Sequence, residues 1–241
     1  MDVDFSKIKG LIFDYGGTID TGGDHWSEVI WEAWQKAGVA ADKAEFRECY
    51  VYAERELART LHILPHHNFS DLLYIKMQIE LQHLCELGHF APADVDDKAR
   101  EIADYCHQSA ASAIDKAKPV LKTLTDRFPT ILVSNFYGNI SEVLKEFGLD
   151  KFFRKIIESA VVGIRKPDPK IFLLGAEALK LKPEDILVIG DSYSKDIEPA
   201  EKAGFQAIWL KGKQWSEAEE NIVHPSVIEN LSEILAFLDG E

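Results

Sequence analysis

Acidic, hydroxyl and amide side chains follow three apolar runs of the sequence, at the points where buried strands would end. Asp14 follows the first run and opens a glycine-rich turn. Ser134 and Asn135 follow the second run, and Asp191 and Asp196 follow the third. In doubly wound α/β folds, ligands bind outside the carboxyl ends of the strands. The positions therefore predict that these side chains share one site.

Carboxylates and a lysine in such a site could carry out covalent phosphoryl transfer. A carboxylate such as Asp14 can act as a nucleophile that divides one displacement into two easier steps. Acidic residues at the ends of different strands can bind Mg²⁺, which prefers oxygen ligands. Lys166, in an Arg-Lys-Pro-Asp-Pro segment, could stabilise charge on the transferring group. Ser134 and Asn135 could hydrogen-bond the phosphoryl oxygens.

Each of these residues also has a purely structural explanation when it is taken alone. Asp14 could cap the following turn, Ser134 could lie in an ordinary turn, and Lys166 could be a solvated loop residue. Asp191 and Asp196 could offset the dipole of a following helix. Chance would have to reproduce their order, strand context and spacing together. We therefore favour one shared catalytic site.

The order of the apolar runs predicts the elements that bring these residues together. Strands are expected at residues 8–14, 130–134, 155–159, 186–190 and 206–210, with helices near 139–147, 169–180 and 196–203. This alternation is typical of βαβ units around a mostly parallel sheet. A short strand and a capped terminal helix are expected over residues 227–235.

A long stretch after the Asp14 turn has apolar residues at helical spacing and hardly a strand-like run. Asn68 and Ser70 are candidate N-caps within it. The simplest architecture is a discontinuous α/β core with a helical domain inserted into it. We place the core at residues 1–22 and 113–241, and the inserted helical domain at residues 23–112.

Composition restricts the class of protein. The chain has 241 residues, 46% hydrophobic and 28% charged, which suits one large globular domain or a domain with an insertion. Its formal net charge of −14 argues against nucleic acid as a partner. The three cysteines lie far apart, as in a reduced cytoplasmic protein. We expect no signal peptide, no membrane span and a monomer or homodimer.

The order of aspartate, hydroxyl residue, lysine and acid pair resembles the haloacid dehalogenase (HAD) superfamily of hydrolases. The resemblance extends over nearly the whole chain, from Leu11 to about Leu238. It implies a doubly wound, Rossmann-like parallel-sheet core and an all-helical cap that closes over the active site. It also implies a Mg²⁺-dependent phosphatase-like hydrolase that acts on a small phosphorylated metabolite through an aspartyl-phosphate.

The resemblance implies a role for each candidate residue. The catalytic residues would be Asp14 as the nucleophile, with Ser134 and Lys166 acting on the phosphoryl group. The residues implied to bind the substrate are Gly17, Thr18, Ser134, Asn135 and Lys166. The metal ligands implied are Asp14, the backbone carbonyl of Gly16, Asp191 and Asp196, the last either as a ligand or as a support for one.

The sequence departs from the phosphatases of this family at Gly16. Those enzymes carry a second aspartate there, which protonates the leaving alcohol and then activates water. Positioned acid–base catalysis contributes ~10²–10⁴-fold in rate, and glycine supplies none of it. Asp20 could partly substitute, although a solvated or turn-capping role is the simpler interpretation.

Two alternatives stay open. A phosphonatase-like enzyme also has a small residue at this position, but it needs a cap lysine that forms a Schiff base. The cap lysines to consider are Lys36, Lys43 and Lys76. A catalytically impaired protein of this fold would bind Mg²⁺ and phosphate ligands for a regulatory role. Haloacid dehalogenases use no metal, and the acid pair Asp191 and Asp196 counts against them.

Several residues of the inserted helices could reach a substrate. Arg55 and Arg59 share one helical face, and His66 and His67 lie in the next connection. A solvated position is the expectation for each of these four residues. The first inserted helix is rich in tryptophan, which packing mostly explains, although one indole could line the cleft.

Overall fold

The computed structural model describes residues 3–239, which contain a six-stranded parallel sheet. The strand order is β3-β2-β1-β4-β5-β6, so the winding reverses at β1. This confirms the predicted doubly wound α/β fold, including the short last strand. The strands are β1 Gly10–Phe13, β2 Thr130–Ser134, β3 Ile156–Glu158, β4 Ile186–Gly190, β5 Gln206–Leu210 and β6 Val227–Ile228.

Helices cover the sheet and fill the long connection between β1 and β2. A π-helical turn, Tyr193–Ile197, directly precedes one of them. The α-helices are α1 Trp26–Lys36, α2 Lys43–Arg59, α3 Phe69–Glu86, α4 Val95–Arg127, α5 Ile140–Glu146, α6 Ser159–Val162, α7 Lys170–Leu179, α8 Glu198–Lys202, α9 Glu217–Glu220 and α10 Glu233–Asp239. Within residues 3–239, no helix is both long and apolar enough to cross a membrane.

Side chains of the central strand alternate between two hydrophobic cores. Ile12 packs in the core that contains Ile171 and Phe172 of α7. Leu11 and Phe13 point the other way, into the core that contains the helices before β2. Because the sheet is covered on both faces, its strands are nearly continuous apolar runs, which is typical of parallel sheets.

Helices α1–α3, which we call the cap, begin at clear sequence signals. Asn68 caps α3 in a reciprocal capping box with Asp71, which confirms one of the two predicted N-caps. Ser70 instead lies in the first turn of α3. Asp42 and Glu45 form the same motif at the start of α2. These caps satisfy backbone amides that helix starts otherwise leave without partners.

Helix α4 is 33 residues long and runs from the cap to the core. Tyr105 contacts Glu32 and Lys36 of α1, whereas Ala113 and Ala117 lie beside Ile19 and Leu231 of the core. The predicted boundary between residues 112 and 113 therefore falls inside one continuous helix. The two-domain division stays a prediction.

Glu80 of α3 is fully buried inside the helical layer. Neither carboxylate oxygen has a hydrogen-bond partner among the described residues. Burial raises the pKa of this carboxyl to about 8, although the positive charge of Lys76 opposes the shift. A buried charge without hydrogen bonds is costly, so the carboxyl keeps its proton at neutral pH.

This burial predicts a stability that falls with rising pH. The unfolded chain releases the proton of Glu80 near pH 4.5, and the folded protein only near pH 8. The free energy of unfolding should therefore decrease between these values, because the folded state binds the additional proton. Glu80→Gln should stabilise the protein more at pH 8 than at pH 5, by roughly 2 kcal/mol or more. Chemical denaturation at both pH values measures the difference.

The matched control is Glu86→Gln at the exposed end of the same helix. We expect it to leave the pH dependence close to that of the wild type. A pH dependence that Glu80→Gln does not change would contradict the assignment of a buried, protonated carboxyl.

Candidate active site

The candidate residues meet at the carboxyl ends of three neighbouring strands. Asp14 follows β1, Ser134 ends β2 and Asp191 follows β4, and each is at most 5% exposed. The register aligns Phe13 of β1 with both Leu132 of β2 and Ile189 of β4, so these strands end close together. The structure thus brings together the side chains that the sequence pattern grouped.

Lys166 lies at the centre of the site. Its ammonium group donates hydrogen bonds to Asp14 Oδ1 and Asp196 Oδ1, each at 2.6 Å. Burial alone would lower the pKa of Lys166, but the charges of the two aspartates raise it above its ordinary value. The side chain is therefore a cation that bridges the first and last acidic positions of the sequence pattern.

Asn135 fixes the backbone of Lys166. Its side-chain amide donates to the Lys166 carbonyl at 3.0 Å and accepts from the Lys166 amide at 2.9 Å. The loop before α7 is thereby tied to the end of β2. The residue also lines the pocket, as the predicted substrate-binding role requires, but its hydrogen bonds in this structure position the lysine.

Asp14, Asp191 and Asp196 form a buried acidic cluster. One carboxylate oxygen of each lies within 4.8 Å of the others. Burial raises the pKa of Asp191 well above its ordinary value, and the charges of Asp14 and Asp196 raise it further. Burial also raises the pKa of Asp196 to about 6, against the attraction of Lys166. The hydroxyl of Thr18 donates to Asp191 Oδ1 at 3.0 Å.

This donor set fits a divalent cation. When all three carboxyl groups are ionised, the one ammonium group leaves two negative charges in a buried space, and such charges need a partner. The donors are oxygen atoms, which hard cations such as Mg²⁺ prefer. The residues that would hold the ion are the predicted ones, namely Asp14, Asp191, Asp196 and the backbone carbonyl of Gly16.

The two glycines after Tyr15 have different functions. Gly17 has a φ of 97°, and a Cβ atom there would lie 2.3 Å from Asp191 Oδ2. Only glycine allows this conformation and this approach of the carboxylate. Gly16 has an ordinary φ, and its Cβ would have no neighbour closer than the Trp26 indole at 3.9 Å. Position 16 therefore has room for a side chain.

Asp20 turns back into the pocket from the end of the glycine turn. Its Oδ1 accepts from the amide of Gly17 at 2.7 Å, and its Oδ2 accepts from the indole of Trp26 at 3.0 Å. The residue is 1% exposed and lines the same pocket as Asp14. Burial raises the pKa of Asp20 to about 8. The carboxyl thus caps the turn, as the simpler interpretation expected, and it does so in the pocket that contains the candidate nucleophile.

The pocket over these residues has a volume of about 130 Å³ and lies between the cap and the core. A cavity of about 150 Å³ holds one benzene molecule, so this space suits a small group. One wall is apolar and aromatic, and we call the whole space the inner pocket. The apolar wall consists of Trp26, Ile30, Phe69, Leu72, Leu73 and Phe136.

The lining of the inner pocket also carries charge from the cap. Lys76 donates to Glu54 Oε1 at 2.5 Å, and the phenol of Tyr137 in the core donates to the same oxygen at 2.9 Å. The Lys76 ammonium also lies 4.3 Å from the centre of the Tyr50 ring. This cluster joins two cap helices to the core beside the candidate nucleophile.

The remaining cap candidates lie away from the inner pocket. Lys36 and Lys43 form surface ion pairs with glutamates of α1, and Arg59 pairs with Glu56. His66 and His67 do not line the pocket either.

Glu54 was not among the predicted site residues. Lys76 was predicted only as one of three cap lysines, with no reason to prefer it to the other two. Both follow an apolar residue of their helix by four positions, Tyr50 and Leu72 respectively. A charged residue on the apolar face of a helix is the signal that could have identified them. Tyr137 and His25, which also line the pocket, carry no comparable signal in the sequence.

A parallel sheet with a buried acid–lysine site beneath a helical insertion is the arrangement of a capped α/β hydrolase. Residues 8–204 match the family of haloacid dehalogenase-like hydrolases. The chain belongs to this family. It is 35% identical over 168 residues to a glyceraldehyde 3-phosphate phosphatase of Methanopyrus kandleri, covering 62% of this chain and 72% of that one.

Other similarities cover shorter segments or the fold. A phosphoserine phosphatase of Thermus thermophilus is 38% identical over 69 residues, which are 29% of this chain and 28% of that enzyme. The putative HAD-hydrolase YfnB of Bacillus subtilis, solved with magnesium, superposes with a TM-score of 0.61 at 20% identity, over 96% of this chain and 99% of that one. At this identity the superposition shows the fold alone.

The two glycines of the turn provide a matched test of the site geometry. Gly17→Ala should lower the stability by roughly 2 kcal/mol or more, because the new Cβ meets the Asp191 carboxylate and φ is positive. Gly16→Ala should change stability by less than about 1 kcal/mol, since the space beside Trp26 is open. Denaturation curves of both variants measure the difference. Equal effects would contradict the described turn.

Proposed function

We propose that the protein is a Mg²⁺-dependent phosphatase that hydrolyses a small phosphate monoester through a phosphoryl intermediate on Asp14. The observation that carries the proposal is the position of Lys166, 2.6 Å from both Asp14 and Asp196. A nucleophile-like carboxylate, a fixed cation and an acidic cluster occupy one buried pocket. These are the parts that phosphoryl transfer needs, since its catalysis is mainly positioning and charge stabilisation.

In the first step, a carboxylate oxygen of Asp14 forms a bond to phosphorus while the ester oxygen of the substrate leaves. Lys166 stabilises the charge of the transferring group, and Ser134 offers its hydroxyl to the oxygens of that group. Thr18 does not line the inner pocket, and its hydroxyl instead supports Asp191. In the second step, water attacks the phosphorus of the acyl phosphate, which releases inorganic phosphate and restores the carboxylate. When bound, Mg²⁺ supplies positive charge that offsets repulsion between the carboxylate and the phosphoryl dianion.

The leaving alcohol requires a proton, and Asp20 is the residue that we assign to supply it. Its carboxyl is hydrogen-bonded to the same indole of Trp26 that a side chain at position 16 would meet. It therefore occupies the side of the inner pocket that the aspartate of related phosphatases would enter from position 16. Its raised pKa keeps the proton available at neutral pH, as a general acid requires.

The phosphonatase-like alternative depends on Lys76. The lysine does line the inner pocket, which favours this alternative over one based on Lys36 or Lys43. Burial alone would lower the pKa of Lys76, but the charge of Glu54 raises it well above its ordinary value. A Schiff-base lysine needs a neutral amine, so this ion pair weighs against the alternative.

Relatives of the chain support a small phosphorylated metabolite as the substrate. Two of them are named for glyceraldehyde 3-phosphate and phosphoserine, and both are compounds of three carbon atoms. The limited volume of the inner pocket agrees with a leaving group of this size. The charged wall formed by Glu54, Lys76 and Tyr137 would face the polar groups of such a molecule.

Asp14→Asn tests the proposed nucleophile. The amide keeps the shape of the side chain but cannot form the acyl phosphate. Turnover of 4-nitrophenyl phosphate with Mg²⁺ should therefore fall to background. Asp191→Asn should also abolish the rise in melting temperature that Mg²⁺ gives the wild-type protein. Asp104→Asn, on the exposed face of α4, is the control and should retain both properties.

Retained turnover in Asp14→Asn would contradict the proposal. An imine on Lys76, trapped by borohydride in the presence of a phosphonoaldehyde, would instead support the phosphonatase-like alternative. A protein that binds Mg²⁺ and phosphate but turns over neither class of substrate would match the regulatory alternative.

Asp20→Asn tests the proposed proton donor through the leaving group. The variant should lose roughly 10²-fold on an alkyl phosphate and much less on an aryl phosphate, whose leaving group departs without full protonation. Adding Gly16→Asp should restore part of the alkyl activity, because position 16 has room for a carboxylate. Steady-state rates on both substrates measure the effect. Equal losses on both would show that Asp20 only supports the turn.

A further inference from the structure

A second cavity opens onto the inner pocket between the cap and the core. We call it the outer cavity, and its volume is about 780 Å³. Tyr50 and Glu54 of the cap line both spaces, and so do Arg165 and Lys195 of the core. A substrate whose phosphoryl group lies at Asp14 would therefore extend its other end into the outer cavity.

Three cations line the outer cavity, namely Arg55 of the cap and Arg165 and Lys195 of the core. All three are exposed, and within residues 3–239 their side chains form no ion pair or hydrogen bond. Arg59, one turn further along α2, differs because it pairs with Glu56. The cations of the outer cavity are thus available to a ligand.

The two acidic residues of the outer cavity, Glu54 and Glu219, offset only part of the charge of its three cations. Glu54 already accepts hydrogen bonds from Lys76 and Tyr137. Glu219 accepts one from the hydroxyl of Ser194 at 2.6 Å. The cavity is therefore locally positive in a protein whose formal net charge is −14. A positive cleft concentrates anionic ligands near the site that it adjoins.

The outer cations are tied in sequence to the inner site. Arg165 directly precedes Lys166, and Lys195 directly precedes Asp196. The loop at Arg165 and the π-helical turn at Lys195 thus each place one side chain in the inner site and the preceding cation where the two spaces meet. A ligand that contacts both Arg165 and Lys166 would therefore extend from the inner pocket to the outer cavity.

We propose that the outer cavity is a subsite for a second anionic group of the substrate, either a carboxylate or a second phosphate. The proposal rests on the phosphatase function, since the phosphoryl group of the same molecule must lie at Asp14. Guanidinium and ammonium groups bind the oxygens of both anions through charge-assisted hydrogen bonds. Because Arg55 belongs to the cap and the other two cations to the core, the bound anion would also hold the cap closed.

Two pairs of substrates test the subsite. Glycerol 3-phosphate and 3-phosphoglycerate differ in a carboxylate, and fructose 6-phosphate and fructose 1,6-bisphosphate differ in a second phosphate. In at least one pair, kcat/KM of the wild type should be higher for the more anionic member. Arg55→Ala should reduce this ratio roughly 5–10-fold, and Arg55→Lys should retain most of it. The pair that responds identifies the anion.

The matched control is Arg59→Ala, on the same helix but outside the cavity. This variant should leave the ratio of the kcat/KM values unchanged. In the wild type, added KCl should lower the ratio, because salt screens the exposed charges. A wild-type ratio near one in both pairs would overturn the proposal. An equal loss in Arg55→Ala and Arg59→Ala would overturn it as well.

Failure of the subsite can be distinguished from failure of the phosphatase function. Hydrolysis of the singly anionic compounds without any preference would reject the subsite and keep the phosphatase. If no compound is hydrolysed, the subsite is tested by binding. The measurement is the rise in melting temperature that 3-phosphoglycerate and glycerol 3-phosphate each give. A larger shift with 3-phosphoglycerate that Arg55→Ala removes would support the subsite, and equal shifts would reject it.

Discussion

The burial of three carboxyl groups close to one another governs the electrostatics of the site. Asp14 and Asp191 directly follow strands of the sheet, and Asp196 lies in the π-helical turn after β4, so the fold holds the three carboxyl groups together. Lys166 offsets part of their charge, and Asn135 holds the lysine in place. What remains is a deficit of positive charge at a fixed point. A metal cation would supply the missing positive charge, and a phosphoryl group could bind together with that cation.

The cap completes this site through polar contacts as well as apolar packing. The phenol of Tyr137 reaches Glu54, the amide of Asn139 donates to a cap carbonyl at 3.0 Å, and Glu146 accepts from the amide of Phe69 at 2.7 Å. These hydrogen bonds surround the apolar wall of the inner pocket. The size of the pocket therefore depends on where the cap lies.

The sheet could be predicted closely, because strands buried on both faces are continuous apolar runs, and the bounds of β4 and β5 match the prediction. The site could be predicted as far as it follows strand ends. The pairing of Glu54 with Lys76 could not, since it depends on how two helices pack. The contact of Asp20 with Trp26, which joins the turn to the cap, could not be predicted either. The length of α4 could not be predicted either, because this helix continues through Pro119 to Arg127.

Helix α4 also sets the mechanics of the protein. It carries the chain from the cap back into the core without a break, whereas the other connection, before Trp26, is a series of turns. A continuous helix that joins the cap to the core would let the cap rotate about the helix axis more readily than move away from the core. Moving away would break helical hydrogen bonds or expose apolar side chains to water. Access to the inner pocket should therefore depend on twisting and on the bending stiffness of a single helix. Substitutions in α4 that lie far from the site would then change how often the inner pocket opens.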